Sequence, residues 1–310
     1  MSRIPARGPR RTHTPARIAL ALGAGAFLLA TAACAPQPGS TGGAAGTAEA
    51  TGSTAGQGDA CTVDSKALHK PGTLTIATDS PAYEPWFQDN DPSNGKGFES
   101  AVAYAVAEKL GFTKDRVKWV VEPFAHSYAP GAKNFDFDIN QISVTPQRAK
   151  AVDFSTSYYT ANQAVLTLKD SKFAGADSLA AFKDAKIGVQ VATTSYQAVL
   201  DQLKPTKQPS VYNTTKDEVN ALKNGQIDAI VTDLPTVFYL ANAELDNGRI
   251  VGQFGYAGGT PEQFGLLLPK NSGYTPCVNR ALEALKSDGT LAKITTQWLS
   301  ASANVPELKK

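Results

Sequence analysis

The feature that most constrains this chain is the stretch Phe135 to Tyr159, FDFDINQISVTPQRAKAVDFSTSYY. Phe137, Ile139, Ile142 and Val144 predict a strand that reaches a buried sheet, and Thr145-Pro146 ends it. Thr is a favoured N-cap and Pro suits the first helical position, so the spacing predicts a short helix with Arg148 in its first turn. Ser143, Thr145 and Arg148 then share one strand-to-helix junction. Two hydroxyls, free backbone N–H groups and a guanidinium fork make a carboxylate receptor there. The rival reading of the same residues is an arginine on a solvated helix turn.

Residues 1–33 read as an export signal rather than as part of the fold. Five arginines (Arg3, Arg7, Arg10, Arg11, Arg17) precede an apolar run from Ile18 to Ala33 that is short and rich in Ala and Gly for a membrane span. The run ends in LLATAAC, which resembles the lipobox of bacterial lipoproteins, although Thr31 stands where an aliphatic residue is usual. Cleavage before Cys34 would leave it as the lipidated, palmitate-bearing first residue. A plain secretory signal is the alternative. Residues 34–60 then carry Pro, Gly, Ser, Thr and Ala with almost no large apolar side chain, so they read as a flexible tether.

From Cys61 onward the chain is long enough, and apolar enough, for one or two well-cored domains. Removing the signal lowers the 30 basic residues by five and leaves all 28 acidic ones, a net charge of −3. No basic patch argues for nucleic acid. With Cys34 given to lipid, Cys61 and Cys277 remain as an even pair in an exported chain. Bridged, they would contribute roughly 5 kcal/mol at most by the loop-entropy model. Two buried thiols are the alternative. His13, His69 and His126 stand at no ligand spacing, so no metal is expected.

The folded part opens with GTLTIATDSPAYEPWF, Gly72 to Phe87, a strand around Leu74 and Ile76 followed by an aromatic loop. Tyr83 is the ligand-stacking candidate. Trp86 suits either ligand or core, Phe87 reads as core, and Glu84 as a solvated charge or a selector for a cationic group. A helix follows over Gly97 to Phe112, capped by Gly111, then a strand over Val117 to Val121. His126 sits in the next loop without a recognisable acid–base partner. Beyond the central stretch, Ala161 to Leu168 predicts another strand.

A second unit begins near Asp170. AKIGVQV, Ala185 to Val191, predicts a strand; the hydroxylic turn Ala192-Thr193-Thr194-Ser195 leads into a helix that Pro205 stops. This repeats the first junction: strand, hydroxyls, helix N-terminus. After a helix near Lys216 to Asn224, NGQIDAIVTD predicts a strand ending at Asp233. Asp228, at its start, reads as structural. Asp233, at its carboxyl end, faces the side where ligands bind in open α/β sheets and suits an ammonium group. Phe264 to Leu268 returns as a strand, and two helices close the chain.

GTLTIATDSPAYEPWF, GFESAVAYAVAEKLG, the central stretch, KIGVQVATTS, NGQIDAIVTD and KSDGTLAKITTQWL, in that order, resemble the extracellular solute-binding proteins of amino-acid ABC importers, the polar amino acid binding family (family 3). The likeness covers nearly everything from Gly72 to Ser300. It implies an α/β, periplasmic-binding-protein-like fold of type II, two lobes joined by a two-segment hinge. The expected boundaries are 61–167 plus 263–310 for lobe 1 and 168–262 for lobe 2, with hinge segments near Leu166–Asp170 and Pro261–Phe264. The resemblance assigns the ligand α-carboxylate to Arg148, assisted by Ser143 and by Thr193 or Thr194. It assigns the α-ammonium to Asp233 and stacking to Tyr83, with Trp86 and Gln141 nearby. The sequence departs from the family pattern at Ala101, Gln141 and Ala192.

The implied function is capture of an extracellular amino acid between two lobes and delivery to an ABC-type permease. The protein would be a monomer without cofactor, lipid-anchored on the outer side of the cell membrane. The alternatives are a cyclohexadienyl-dehydratase-like enzyme on the same fold, for which only Glu84 and His126 could serve as acid or base, and a tethered amino-acid sensor.

Overall fold

A computed structural model describes residues 61–256, 261–299 and 304–310. The expected signal, Cys34 and tether lie outside the described residues. In chain order the elements are β1 (Leu74–Thr78), α1 (Phe98–Lys109), β2 (Val117–Val121), α2 (Phe124–Ser127), β3 (Phe137–Asp138), β4 (Asp153–Ala161) and β5 (Gln163–Leu168). They continue with β6 (Ile187–Gln190), α3 (Thr194–Ala198), β7 (Ser210–Tyr212), α4 (Thr215–Lys223), β8 (Ala229–Asp233), α5 (Leu234–Tyr239), β9 (Gly248–Phe254), β10 (Glu262–Leu268), α6 (Thr275–Ser287) and α7 (Thr290–Leu299).

The strands form two five-stranded sheets, in the orders β2-β1-β3-β10-β4 and β7-β6-β8-β5-β9. In each, the strands joined by helical crossovers run parallel and the returning strands run antiparallel. This is a pair of α/β lobes, each with its own apolar core. The first core collects Ile76, Phe98, Val102, Phe137, Phe264 and the α6 and α7 faces; the second has Val165, Ile187, Val189, Val231 and Val251 on one side of its sheet and Leu166, Ile230 and Leu222 on the other. Strands covered on both faces read as continuous apolar runs, which is why β1 and β8 are legible in the sequence.

Local chemistry explains most boundaries. The buried face of α1 comes from Phe98, Val102, Ala103, Val106 and Ala107, and Gly111, at φ +85°, lets the chain leave the helix. Gly97 is required by close approach: a Cβ there would stand 2.5 Å from the Trp86 carbonyl oxygen. That contact seats the aromatic loop on the start of α1. Cys61 and Cys277 form a disulfide with 5.4 Å between their Cα atoms, tying the entry of the folded chain to α6.

Four expectations need correction. Arg148 begins only a 3-10 turn, Arg148–Lys150, although its N–H does donate to the Thr145 hydroxyl at 3.2 Å. The first change of sheet falls at Asn162, between β4 and β5, not near Leu166–Asp170. β4 and β5 are almost continuous extended chain with no Gly or Pro between them, so nothing local marks the switch. β5 therefore belongs with the second sheet. Finally, residues 304–310, assigned above to lobe 1, pack on lobe 2. Leu308 enters the second core, its N–H donates to Gln253 O at 2.9 Å, and the Gln253 N–H donates to Pro306 O at 2.9 Å. α2, β4, α5 and β9 had no expected counterpart.

Gly252 fits the C-terminal segment because a Cβ there would lie 2.7 Å from the Leu308 side chain. Leu308→Ala should destabilise the second lobe by about 2–3 kcal/mol, the usual penalty for emptying a buried leucine site. Urea unfolding followed at the second-lobe tyrosines checks this, and an unchanged midpoint would show the tail to be dispensable.

Candidate functional site

The loop after β1 and the junctions after β3, β6 and β8 meet between the two sheets. Tyr83, Trp86, Asn140 and Gln141 wall a cavity from the first lobe; Gln190, Thr193, Thr194, Thr215 and Asp233 wall it from the second. Thr193 and Thr194 also face an adjacent hollow, and it is this one that Arg148 lines, with Tyr128, Ala192 and Tyr256. The structure thus brings Tyr83, Trp86, Gln141, Thr193, Thr194 and Asp233 to one cavity. Arg148 reaches the same hydroxylic turn from the other side, and Ser143 lies buried behind it.

Arg148 is only 8% exposed, so it is neither on a solvated turn nor at an open cleft mouth. Its guanidinium donates to Ser143 O at 3.0 Å and, across the lobes, to Ala192 O at 3.1 Å. It also lies 4.5 Å from the centroid of the Tyr128 ring and 5.4 Å from that of Phe124. Burial lowers its pKa, against the opposing pull of Tyr128 and Glu262, and the group stays cationic. The Tyr128 hydroxyl donates to the same Ala192 carbonyl at 2.9 Å.

Ala192 is aimed by its backbone. Its φ of +64° places a non-glycine residue in the left-handed region, as does the φ of +49° at Gln141. These are two of the three positions at which the sequence departs from the family pattern. Gln141 turns inward: its N–H donates to Glu99 at 2.7 Å and its side-chain amide donates to the other oxygen of the same carboxylate. The Tyr158 hydroxyl donates to Glu99 as well. Gln141 is therefore tied to a buried carboxylate beneath the cavity floor.

Trp86 is a core residue whose polar edge reaches the cavity. It is fully buried, with edge-on contacts to Phe98, Tyr159 and Phe264 at 5.8–5.9 Å, yet its indole N–H crosses the cavity to the Thr236 hydroxyl at 2.8 Å. Phe87 is core, packed edge-on against Trp119. The Tyr83 hydroxyl accepts from Lys216 N–H at 3.4 Å, at the start of α4 in the second lobe, and burial raises its pKa. Asp228 accepts from Lys186 N–H at 2.8 Å, the structural role expected of it.

The largest addition to the expected site is Glu262, at the first residue of β10 and 3% exposed. It accepts from the Ser143 hydroxyl, from the Thr194 hydroxyl at 2.7 Å and from the Gln163 amide at 2.7 Å. The same Gln163 nitrogen donates to Asp233 at 2.8 Å, because β5 and β8 hold Gln163 and Asp233 directly opposite in register. Thr193 is occupied locally, donating to Gln190 O at 2.8 Å. Burial first, then the Glu262 charge, pushes the Asp233 carboxyl well above the ordinary carboxylate range, against the Gln163 hydrogen bond. A buried Glu opening a strand after a Thr-Pro pair carries no motif, so its role was not visible in the sequence.

Residues 74–301 match the family described as bacterial extracellular solute-binding proteins, family 3. The chain belongs to that family. The solute-binding protein is 32% identical to ABC transporter arginine-binding protein 1 of Escherichia coli K12 over 54% of this chain and 67% of that protein. It is 28% identical to the ABC transporter glutamine-binding protein GlnH of Bacillus subtilis 168, over 67% of this chain and 75% of the relative. Among solved structures, an ancestral arginine-binding protein bound to arginine superposes with a TM-score of 0.61 at 31% identity, over 74% of this chain and 98% of that one.

Glu99 makes the site's polar floor sensitive to pH. Three donors favour its anion, but complete burial outweighs them and raises its pKa from 4.5 to about 7. The folded solute-binding protein therefore holds this proton more tightly than the unfolded chain, and stability falls as pH rises from 4.5 through 7. The shift corresponds to about 3 kcal/mol. Asp138, buried without a hydrogen-bond partner among the described residues and raised by the same cause, adds a slope of the same sign. Glu99→Gln should flatten the fall in melting temperature between pH 5 and 8; an identical profile in the variant would remove Glu99 as its source.

Proposed function

We propose that the amino acid which this solute-binding protein captures for an ABC importer lies between the lobes, with its α-ammonium on Asp233 and its α-carboxylate at the Arg148 junction. The observation that carries the reading is that both groups converge on one hydroxylic turn. Asp233 shares the cavity wall with Thr193 and Thr194, while Arg148 bonds to Ala192 immediately before them from the opposite lobe. A zwitterion spanning that turn would join the two lobes, so its binding energy favours the form in which they are together. Exclusion of water strengthens both charge pairs. Tyr83 and Trp86 supply the aromatic wall. The named ligands of the relatives, arginine and glutamine, share the amino-acid head group and differ in the side chain, which fits a site whose two charge anchors serve the head group.

The protein acts by binding rather than by catalysis. Glu84 lines a separate hollow beside Lys216 and Tyr239, and His126 is exposed, so neither stands on the cavity wall with Asp233. On the cell surface we place the chain as a lipid-anchored monomer held through Cys34, from which the permease receives the closed, loaded form.

A thermal-shift screen against the twenty amino acids should raise the melting temperature with one or a few of them. Asp233→Asn and Arg148→Ala should each weaken that binding about a hundredfold, the order expected for losing a charge-assisted contact in a dry site. Circular dichroism establishes that each variant is folded, and undiminished affinity in a folded variant would sink the assignment. The anchor has its own test. Labelled palmitate should enter the native protein and not Cys34→Ser, which should leave the membrane fraction; a variant that stays membrane-bound would refute anchoring at Cys34.

A further inference from the structure

We propose that the ammonium subsite is a two-carboxylate site, Asp233 together with Glu262, and that an amino acid entering it displaces a proton from the pair. The inference rests on the placement of the ammonium at Asp233 and extends it to a residue that neither sequence motif nor family likeness assigns.

The geometry is that of one amide holding two acids. Gln163, fully buried on β5, donates from a single nitrogen to Asp233 at 2.8 Å and to Glu262 at 2.7 Å. The two carboxylates therefore lie within the reach of one another's field. Their hydrogen bonding is unequal. Glu262 accepts from three donors, Gln163, Thr194 and Ser143. Among the described residues, the Asp233 carboxylate has only the Gln163 hydrogen bond, and it faces the cavity. Of the pair, Asp233 is thus the member that keeps a proton when the cavity lacks a cation.

Other charged groups set the size of the effect rather than its sign. Glu99 of α1 adds to the negative field at Asp233, and Arg148 opposes it. Tyr256, after β9, feels both Glu262 and Arg148 and remains a neutral phenol. The Arg148 guanidinium is committed to the Ser143 and Ala192 carbonyls, so it does not neutralise the pair directly. A ligand ammonium against Asp233 does. It stabilises the second anion, the proton leaves to solvent, and the bound state holds one cation against two carboxylates. Binding then strengthens as pH rises through the range in which Asp233 of the empty protein is protonated. Glu262 thereby raises affinity for ammonium-bearing ligands while discriminating against analogues in which a hydroxyl or oxo group replaces the amine.

The test uses the purified protein and, as probe, an equimolar mixture of the twenty amino acids matched in pH. In weakly buffered solution between pH 5 and 8, mixing should release up to one proton per protein in the native chain. In Glu262→Gln the release should vanish, and the probe concentration that half-saturates the thermal shift should rise about tenfold, the order expected for removing one nearby charge at an intermediate dielectric. Native protein that binds the mixture with no proton release overturns the proposal without any variant. So does a Glu262→Gln protein with unchanged release. If Asp233→Asn abolishes the thermal shift in either case, the ammonium placement stands and only the role of Glu262 fails. If the mixture produces no thermal shift in the native protein, the placement itself fails and the proposal with it.

Discussion

The structure between the lobes depends on one buried carboxylate and the hydrogen-bond donors gathered around it. Glu262 is removed from water at the point where the chain returns from the second sheet to the first, and it gathers donors from both sides: Ser143 from the first lobe, Thr194 and Gln163 from the second. Breaking any of them leaves a buried polar group with an unmade hydrogen bond, which costs more than the bond itself contributes. The hydroxyls of Ser143 and Thr194 are consequently spoken for, and Gln163 is fixed with its amide toward Asp233. Position, protonation and partner of each group follow from its neighbours.

The same logic extends to the floor and rim of the cavity. Glu99 holds Gln141 in a left-handed conformation through two hydrogen bonds, and the aromatic cluster of Trp86, Phe98, Tyr159 and Phe264 holds the first loop against α1. Contacts that join the lobes include Arg148 to Ala192, Tyr128 to Ala192 and Trp86 to Thr236. A left-handed non-glycine residue at each edge, Gln141 and Ala192, is backbone strain held in place by these bonds and located where a ligand would meet the protein. Two backbone carbonyls occupy the guanidinium fork of Arg148 in this arrangement, so in the proposed binding mode a ligand carboxylate would compete with them or use the remaining N–H groups of Arg148.

Much of the fold was legible because its strands are covered on both faces. β1, β5, β6 and β8 are buried along most of their length and announce themselves as short apolar runs, the edge strand β2 as a Val-rich run although Lys118 and Val121 are exposed, and α1 by its apolar spacing and terminal Gly111. β4 escaped because its residues alternate between exposed and buried and include Ser and Thr throughout. α5 escaped because it starts directly at the end of β8 with Leu-Pro and no spacer. The C-terminal strap escaped for a different reason: Val305 and Leu308 are isolated apolar residues in a polar tail, and only packing on the second lobe, Leu308 beside Gly252 and Val305 against the Leu166 and Ile230 cluster, gives them partners.

By itself the sequence determined the alternation of strands and helices, the family, and the residue types gathered at each strand end, since these depend on local periodicity and on motifs read in order. Tertiary structure alone decided which lobe owns β5 and the tail, that Arg148 is buried against aromatic rings, and that Glu262 joins Ser143, Thr194 and Gln163 beside Asp233. The physical reason is sequence distance. Glu262 lies 119 residues from Ser143 and 68 from Thr194 along the chain, so their meeting is set by sheet register and lobe packing rather than by any local preference.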